Sequence, residues 1–207
     1  MTVLASRGQL LASFLRWALL IVPAVLLRGF LAGRLSQSGP GNPWFDSLVK
    51  PSLFPPPATF GIVWSILYAM IGIALTLVVT ARGAPGRGAA LVAFAIQFAL
   101  NLCWSPLFFA SHRITGALYL ILALDIAVLI TVVLIWRVRR SAALLLLPYF
   151  AWVLFATLLN WQFLLAMSTE AQRSELERRL GRSGLRSSTA VASPRWPSQQ
   201  GNTRKTS

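Results

Sequence analysis

The stretch Trp44–Tyr68, WFDSLVKPSLFPPPATFGIVWSILY, lies between two long apolar segments and decides the fold. It contains a Lys-Pro step and three consecutive prolines, and a proline removes a helix hydrogen-bond donor and clashes with the preceding turn. Such a sequence does not continue through a membrane as a helix. We therefore predict a loop at the membrane interface that leads into the next helix. Its aromatic residues and prolines indicate a lid over something held between the helices.

The composition is that of an integral membrane protein. Hydrophobic residues make up 56% of the 207 and charged residues 12%, whereas a soluble domain carries about 25% charged residues. A helix needs roughly 20 apolar residues to cross a bilayer, and five segments meet that length. We predict an all-α, multi-pass bundle of five transmembrane helices with a long capping loop between the first two. The predicted helices are residues 10–35, 59–81, 89–110, 114–136 and 142–167, all within one membrane domain of residues 1–167.

The net charge of +14 is divided between this domain and the rest of the chain. Residues 1–167 hold eleven lysines and arginines, most of them at predicted helix ends, where a bilayer protein keeps its charge at headgroup level. The high net charge therefore requires no nucleic acid partner, and we expect none. Residues 168–207 are predicted to be a basic, disordered tail, with a short amphipathic helix over 169–182. A solvated tail and a lipid- or partner-binding tail both remain open.

Few residues of the sequence are suited to hydrolytic or metal chemistry. His112 is the one histidine and Cys103 the one cysteine, so neither a metal site nor a firm catalytic residue can be assembled. We expect His112 to be a surface residue. Asp125 alone lies at mid-membrane depth, where a transporter would normally have several ionisable groups. We expect it to make a structural hydrogen bond, with a proton or ligand role as the alternative.

Three predicted helices each carry one face of aromatic side chains, and two of these faces also carry amides. Lipid-facing helices need neither, and buried amides demand partners. Two interpretations stay open: an aromatic core held by amide hydrogen bonds, or a cavity under the lid for a flat apolar ligand with a few polar edges. Spacings of three and four residues place these side chains on single faces: Phe60, Trp64 and Tyr68 on the second helix, Gln97, Asn101, Trp104 and Phe108 on the third, and Tyr149, Trp152, Ala156 and Asn160 on the fifth.

Five ordered motifs are similar to those of a known family. They are GNPWF at 41–45, KPSLFPPP at 50–57, FGIVWSILY at 60–68, QFALNLCWSPLFF at 97–109 and LLPYFAWVLFATLLN at 146–160. On these motifs, residues 10–166 resemble the TspO/MBR family. These are the tryptophan-rich sensory proteins, whose animal members are the translocator (peripheral benzodiazepine receptor) proteins.

The resemblance implies a five-helix bundle, commonly a homodimer, here expected in a bacterial membrane. It implies binding of tetrapyrroles such as protoporphyrin IX and haem as ligands, without an obligatory cofactor, and a regulatory or sensory role. The alternatives are a light-dependent porphyrin-degrading enzyme, with Trp64 and Trp152 as candidate catalytic residues, and a tetrapyrrole or small-molecule transporter. Carried over by motif, the ligand-binding residues are Trp64, Tyr68, Gln97, Asn101, Trp104, Phe108, Trp152 and Ala156, and the lid residues are Trp44, Lys50, Pro51, Phe54, Pro55 and Pro56.

The chain departs from the family pattern in three places. The aromatic residue usual in the KPxWxPP loop is Leu53 here, with Phe54 as the candidate substitute. The acidic residue that relatives have early in the fourth helix falls at Leu120, and Asp125 lies about one turn further on. Asn160 is followed by WQFLLAM, which lacks the tyrosine and basic residue tied to cholesterol recognition in animal members. This absence counts against sterol binding.

Two pairs of small residues are typical of helix association in membranes. Gly29 and Gly33 form a GxxxG pair on the first helix, and Ala95 and Ala99 form a similar pair on the third. We predict a homodimer through the third helix, because the alanine face is distinct from the side that carries the amides. Packing of helices within one chain is the alternative for both pairs.

Overall fold

The computed structural model describes residues 6–189, and every regular element in that range is helical. Five helical segments are long and apolar enough to cross a membrane, which confirms the predicted all-α, multi-pass architecture. Their bounds agree with the predicted ones to within three residues, apart from the end of the last helix. The elements are α1 (Arg7–Leu35), α2 (Pro43–Ser47), α3 (Pro57–Thr80), α4 (Arg87–Ser105), a π-helical turn (Pro106–Ala110), α5 (Ile114–Val138) and α6 (Arg140–Thr189).

The chain divides into two compact units, residues 1–167 and 168–207. The core of the first unit is made by completely or almost completely buried apolar side chains from α3, α4, α5 and α6. Aliphatic residues fill its centre, and a second cluster of phenylalanines lies beside the loop that follows α1. The largest of the central residues are Ile71, Leu124, Ile135, Leu146 and Tyr149, and the phenylalanine cluster contains Phe45, Phe108, Phe109 and Phe163.

Helices α1 and α3 approach each other closely at two glycines. A Cβ atom on Gly72 would lie 2.9 Å from the Cα of Val22, and a Cβ atom on Gly29 would lie 2.2 Å from Cε2 of Tyr68. Real Cβ atoms do not approach other atoms so closely, so both positions require glycine. Gly29, which the sequence suggested as half of an association motif, therefore packs within its own chain. A Cβ atom on Gly33 would meet nothing within 4 Å.

The loop after α1 is held in place by the short helix α2. The Asn42 side chain caps α2 by accepting a hydrogen bond from the backbone N–H of Phe45 at 3.1 Å. Its Nδ2 donates to the carbonyl oxygen of Phe109 at 3.3 Å, which ties the loop to the π-helical turn. Gly39 and Gly41 have φ angles of +98° and +89°, a region that glycine adopts without steric cost.

The π-helical turn was not anticipated, because the sequence predicted one uninterrupted helix over 89–110. Pro106 has no N–H to donate to the helical ladder. The N–H of Ser111 donates to the carbonyl oxygen of Pro106 at 2.9 Å, which closes a wider turn than an α-helix has. Within this turn the side chains of Phe108 and Phe109 are both buried.

In the second unit, the predicted short helix is present as the continuation of α6. Glu175 accepts from Arg179 at 3.2 Å, a contact that a spacing of four residues favours on a helix. Where the sequence predicts disorder beyond Gly181, α6 continues to Thr189. No proline lies between Pro148 and Thr189, so no residue in that range lacks the backbone donor that a helix requires. The predicted disorder of 190–207 lies outside the described residues and stays a prediction.

We expect Gly29→Ala to destabilise the protein by about 1–3 kcal/mol, the usual cost of overpacking a core. The added methyl group would displace the Tyr68 ring. Gly33→Ala is the matched control on the same helix, since its methyl group meets open space. Thermal unfolding in detergent measures both variants. Equal unfolding temperatures for the two would contradict the close packing at Gly29.

Candidate functional site

A cavity of about 920 Å³ lies within residues 1–167, and all five membrane-crossing helices and the loop after α1 contribute to its lining. This volume is near the upper end of the range for small-molecule sites, about 300–1,000 Å³. Its wall is predominantly apolar and rich in aromatic rings. The rings are those of Phe30, Phe45, Phe54, Phe60, Trp64, Tyr68, Trp104, Phe108, Phe109, Trp152 and Phe163.

The structure brings together seven of the eight residues expected to bind a ligand. Helix α3 carries two of them, α4 and the π-helical turn three, and α6 two. They are Trp64, Tyr68, Asn101, Trp104, Phe108, Trp152 and Ala156. The eighth, Gln97, is not in the lining. It is 1% exposed, and its Oε1 accepts a hydrogen bond from the Tyr149 hydroxyl at 2.9 Å. Gln97 therefore belongs to the packed interior beside the cavity.

The aromatic rings of the wall hold one another in fixed positions. Trp64 stacks on Tyr68, and Trp104 stacks on Phe108, each with 5.1 Å between ring centroids. Trp152 meets Phe60 edge to face at 5.8 Å. Offset stacks and edge-to-face contacts are the favoured aromatic geometries, so each pair stabilises its own orientation. The cavity thus has walls of rigid, flat apolar surfaces.

The side-chain oxygens of the two asparagines in the cavity wall accept hydrogen bonds from donors of the same chain. Asn101 Oδ1 accepts from the Tyr68 hydroxyl at 2.9 Å, and Asn160 Oδ1 accepts from Trp104 Nε1 at 3.3 Å. Asn160 Nδ2 also donates to the carbonyl oxygen of Ile114 at 3.1 Å. The two interpretations of the sequence pattern thus coexist, because amide hydrogen bonds hold the core and a cavity lies beside them. Trp152 Nε1 is buried and has no acceptor among the described residues.

The loop after α1 contributes Phe54 to the cavity lining. The Phe54 ring stacks on Phe60 at 5.2 Å and meets Phe163 edge to face at 5.8 Å. Leu53, the position where the family pattern has an aromatic residue, is 52% exposed. Phe54 therefore supplies the ring that Leu53 lacks.

The other predicted lid residues, Trp44, Lys50, Pro51, Pro55 and Pro56, lie outside the lining. Trp44 stacks on the exposed ring of His112, with 4.3 Å between centroids, and so connects the loop to the turn before α5.

Lys50 fastens the loop onto α2. Its Nζ donates to the carbonyl oxygens of Phe45 and Leu48, and lies 4.1 Å from the centroid of the Phe45 ring. Burial lowers the pKa of the Lys50 ammonium from its ordinary value, and the Asp46 carboxylate opposes that shift. These contacts hold the segment around Lys50 against α2.

Sequence reasoning missed the contribution of α1 to the cavity. This helix has no stripe of amides and aromatics, and its one available signal, the glycine pair, was interpreted as an association motif. The missed α1 residues are Leu26, Leu27, Gly29, Phe30, Gly33 and Arg34.

Asp125 makes the structural hydrogen bond that the sequence predicted. Its Oδ2 accepts from the Thr157 hydroxyl at 2.8 Å, which joins α5 to α6 near the middle of α5. Asp125 does not line the cavity.

Comparison with known proteins agrees with this architecture. The model of the TspO/MBR family matches residues 19–165, a segment that contains every residue of the cavity lining. The tryptophan-rich protein TspO of Archaeoglobus fulgidus is 40% identical over 138 residues, 67% of this chain and 88% of that protein. The human translocator protein is 36% identical over 135 residues, 64% of this chain and 80% of its own. The tryptophan-rich sensory protein of Cereibacter sphaeroides is 33% identical over 119 residues, 58% and 73% of the two chains.

We expect Tyr149→Phe to destabilise the protein by about 1–3 kcal/mol, because it leaves the buried Gln97 oxygen without a donor. Tyr119→Phe is the matched control, since Tyr119 is 70% exposed. Thermal unfolding in detergent compares the two variants. If both unfold at the temperature of the unmodified protein, the Tyr149–Gln97 hydrogen bond does not hold α6 to α4.

Proposed function

Since the chain belongs to the TspO/MBR family of multi-pass membrane proteins, we propose that it binds a porphyrin-like tetrapyrrole, such as protoporphyrin IX or haem, in the cavity between its helices. Its role is then regulatory or sensory, in keeping with the name of the relative from Cereibacter sphaeroides. The observation that carries the proposal is the large cavity with walls of flat aromatic rings. A wide, flat π-system is the ligand shape that such walls complement.

The arrangement of the rings supports an extended ligand. Trp64 on α3, Trp104 on α4 and Trp152 on α6 bring three indoles to one cavity from three different helices. Each aromatic pair contributes about 0.5–1.5 kcal/mol beyond the burial of its area. A ligand that meets several of these rings at once therefore gains more than a compact apolar molecule of the same mass.

The polar groups of the wall support a ligand with a few acceptor atoms. The amide oxygens of Asn101 and Asn160 already accept hydrogen bonds within the chain, whereas the buried N–H of Trp152 has no acceptor among the described residues. Burying a donor without a partner costs free energy. A ligand that presents an acceptor to Trp152 removes that cost.

The composition of the lining supports binding rather than hydrolysis. Its residues, all within the described range, include no histidine, cysteine, aspartate or glutamate. Activated nucleophiles and metal-dependent hydrolysis rely on these side chains. The serines of the lining therefore have no general base beside them.

Protoporphyrin IX titrated into the protein in lipid nanodiscs is expected to bind saturably, measured by the change in porphyrin absorbance. Trp64→Phe and Trp152→Phe each remove one indole face from the cavity, and we expect affinity to fall about tenfold, equivalent to about 1.4 kcal/mol. Trp161→Phe is the matched control, because Trp161 lies on α6, is 51% exposed and is not in the lining. Unsaturable uptake equal to that of protein-free nanodiscs would refute the proposal.

We also propose that the protein forms a homodimer through α4. Ala95, Ala99 and Cys103 follow one another at spacings of four and are all exposed. Small side chains let two helix backbones approach closely in a membrane. This face is separate from that of Gln97 and Asn101, which are both buried. Gly29 gives no comparable support for pairing through α1, since it already packs against Tyr68.

Cys103 is the only cysteine of the chain and allows a direct test of the dimer. A short thiol-reactive bifunctional reagent applied to native membranes is expected to give a covalent dimer, and Ala99→Trp is expected to abolish it by blocking close approach. The control is Cys103→Ser combined with Ile62→Cys, which moves the thiol to an exposed position on α3. Monomer alone from the unmodified chain, under conditions in which the thiol reacts completely, would contradict pairing through α4.

A further inference from the structure

Arg34 is the only charged residue of the cavity lining, all of which lies within the described residues. It occupies the last turn of α1, and the neighbouring lining residues Ser38, Gly39 and Pro40 follow it in the loop. We propose that Arg34 binds a carboxylate of the ligand and thereby makes the site selective for acidic over neutral tetrapyrroles. The inference rests on the proposed function and adds to it a residue and a chemical class.

The position of Arg34 on α1 directs it to the cavity. The α1 residues of the lining recur at spacings of three and four, from Leu26 through Phe30 to Arg34, so they share one face of the helix. Arg28 lies on the same helix and is exposed like Arg34, but it lies off this face and is absent from the lining. Arg34 therefore borders the cavity, and Arg28, six residues earlier, does not.

The guanidinium of Arg34 is free to take an anion. No carboxylate of the described residues lies within ion-pair distance of it, since the ion pairs of that range are formed by Glu175 on α6. Asp46 is the acidic residue of the nearby loop, and its carboxylate accepts from the backbone N–H of Gly41 at 2.9 Å. Arg34 instead lies 5.7 Å from the centroid of the Phe30 ring, a cation–π contact that leaves its N–H groups available.

The shape of the arginine guanidinium is suited to binding a carboxylate. Its planar fork of N–H donors matches the two oxygens of a carboxylate, and such charge-assisted pairs are stronger than neutral hydrogen bonds. At the end of α1, a ligand carboxylate stays near headgroup level while the ring system lies among the indoles. This arrangement avoids the large cost of placing an unpaired carboxylate in an apolar interior.

The test compares two ligands with the same ring: protoporphyrin IX, a dicarboxylic acid, and its dimethyl ester, which is neutral. Both are titrated into the full chain in nanodiscs of uncharged lipid. The unmodified protein is expected to bind the acid about tenfold more tightly. Arg34→Gln is expected to lose that preference by weakening only the acid, and Arg34→Lys to retain part of it. Arg28→Gln is the control and is expected to behave as the unmodified protein.

The outcomes separate this inference from the proposed function. If the unmodified protein binds acid and ester equally, or if Arg34→Gln weakens both alike, the carboxylate contact is refuted while tetrapyrrole binding stands. If Arg28→Gln weakens acid binding as much as Arg34→Gln, surface charge alone explains the preference and the inference fails. If neither ligand binds saturably, the proposed function itself fails. Unfolding temperatures of the variants verify that each is folded.

Discussion

The hydrogen bond from the Tyr68 hydroxyl to the Asn101 amide is the interaction on which the rest of the site depends. It joins α3 to α4, and the same tyrosine ring fills the space that Gly29 leaves on α1. Three helices thus meet at one side chain. Within a bilayer no water is available to polar groups, so a buried amide must find its partner inside the protein. That requirement fixes the relative positions of the helices whose indoles line the cavity.

The same constraint explains how an aromatic cavity coexists with a tightly packed core. Amide hydrogen bonds and ring contacts within the chain fix the residues of the cavity wall. Asn160 accepts from Trp104, and Gln97 accepts from Tyr149. The rings are thereby oriented by contacts within the chain. Preorganisation of this kind reduces the ordering that a ligand must impose, so more of the contact energy appears as affinity.

Helical periodicity in the sequence identified three of the helix faces that meet at the cavity. Spacings of three and four residues identified the faces that carry Trp64, Asn101 and Trp152, and all three line the cavity. Asparagine is a preferred N-cap residue, and the Asn42 side chain caps α2. These features are local, because each depends on residues within a turn or two of one another.

The features that the sequence did not reveal depend on contacts between distant elements. Gln97 shares its face with Asn101 but packs against Tyr149 from α6. Helical spacing predicts the side of the helix on which a residue lies, but not whether that residue meets a cavity or a neighbouring helix. The sequence around a glycine such as Gly29 does not indicate whether it packs against a second chain or against an aromatic ring of the same chain.

The attachment of the loop has a mechanical consequence. Asn42 ties it to the π-helical turn, Trp44 stacks on the turn before α5, and Lys50 fastens it onto α2. Loop, π-helical turn and the start of α5 therefore form one stiff body. The loop therefore works as a fixed roof over the cavity, since displacing it would break its contacts with both the π-helical turn and the turn before α5.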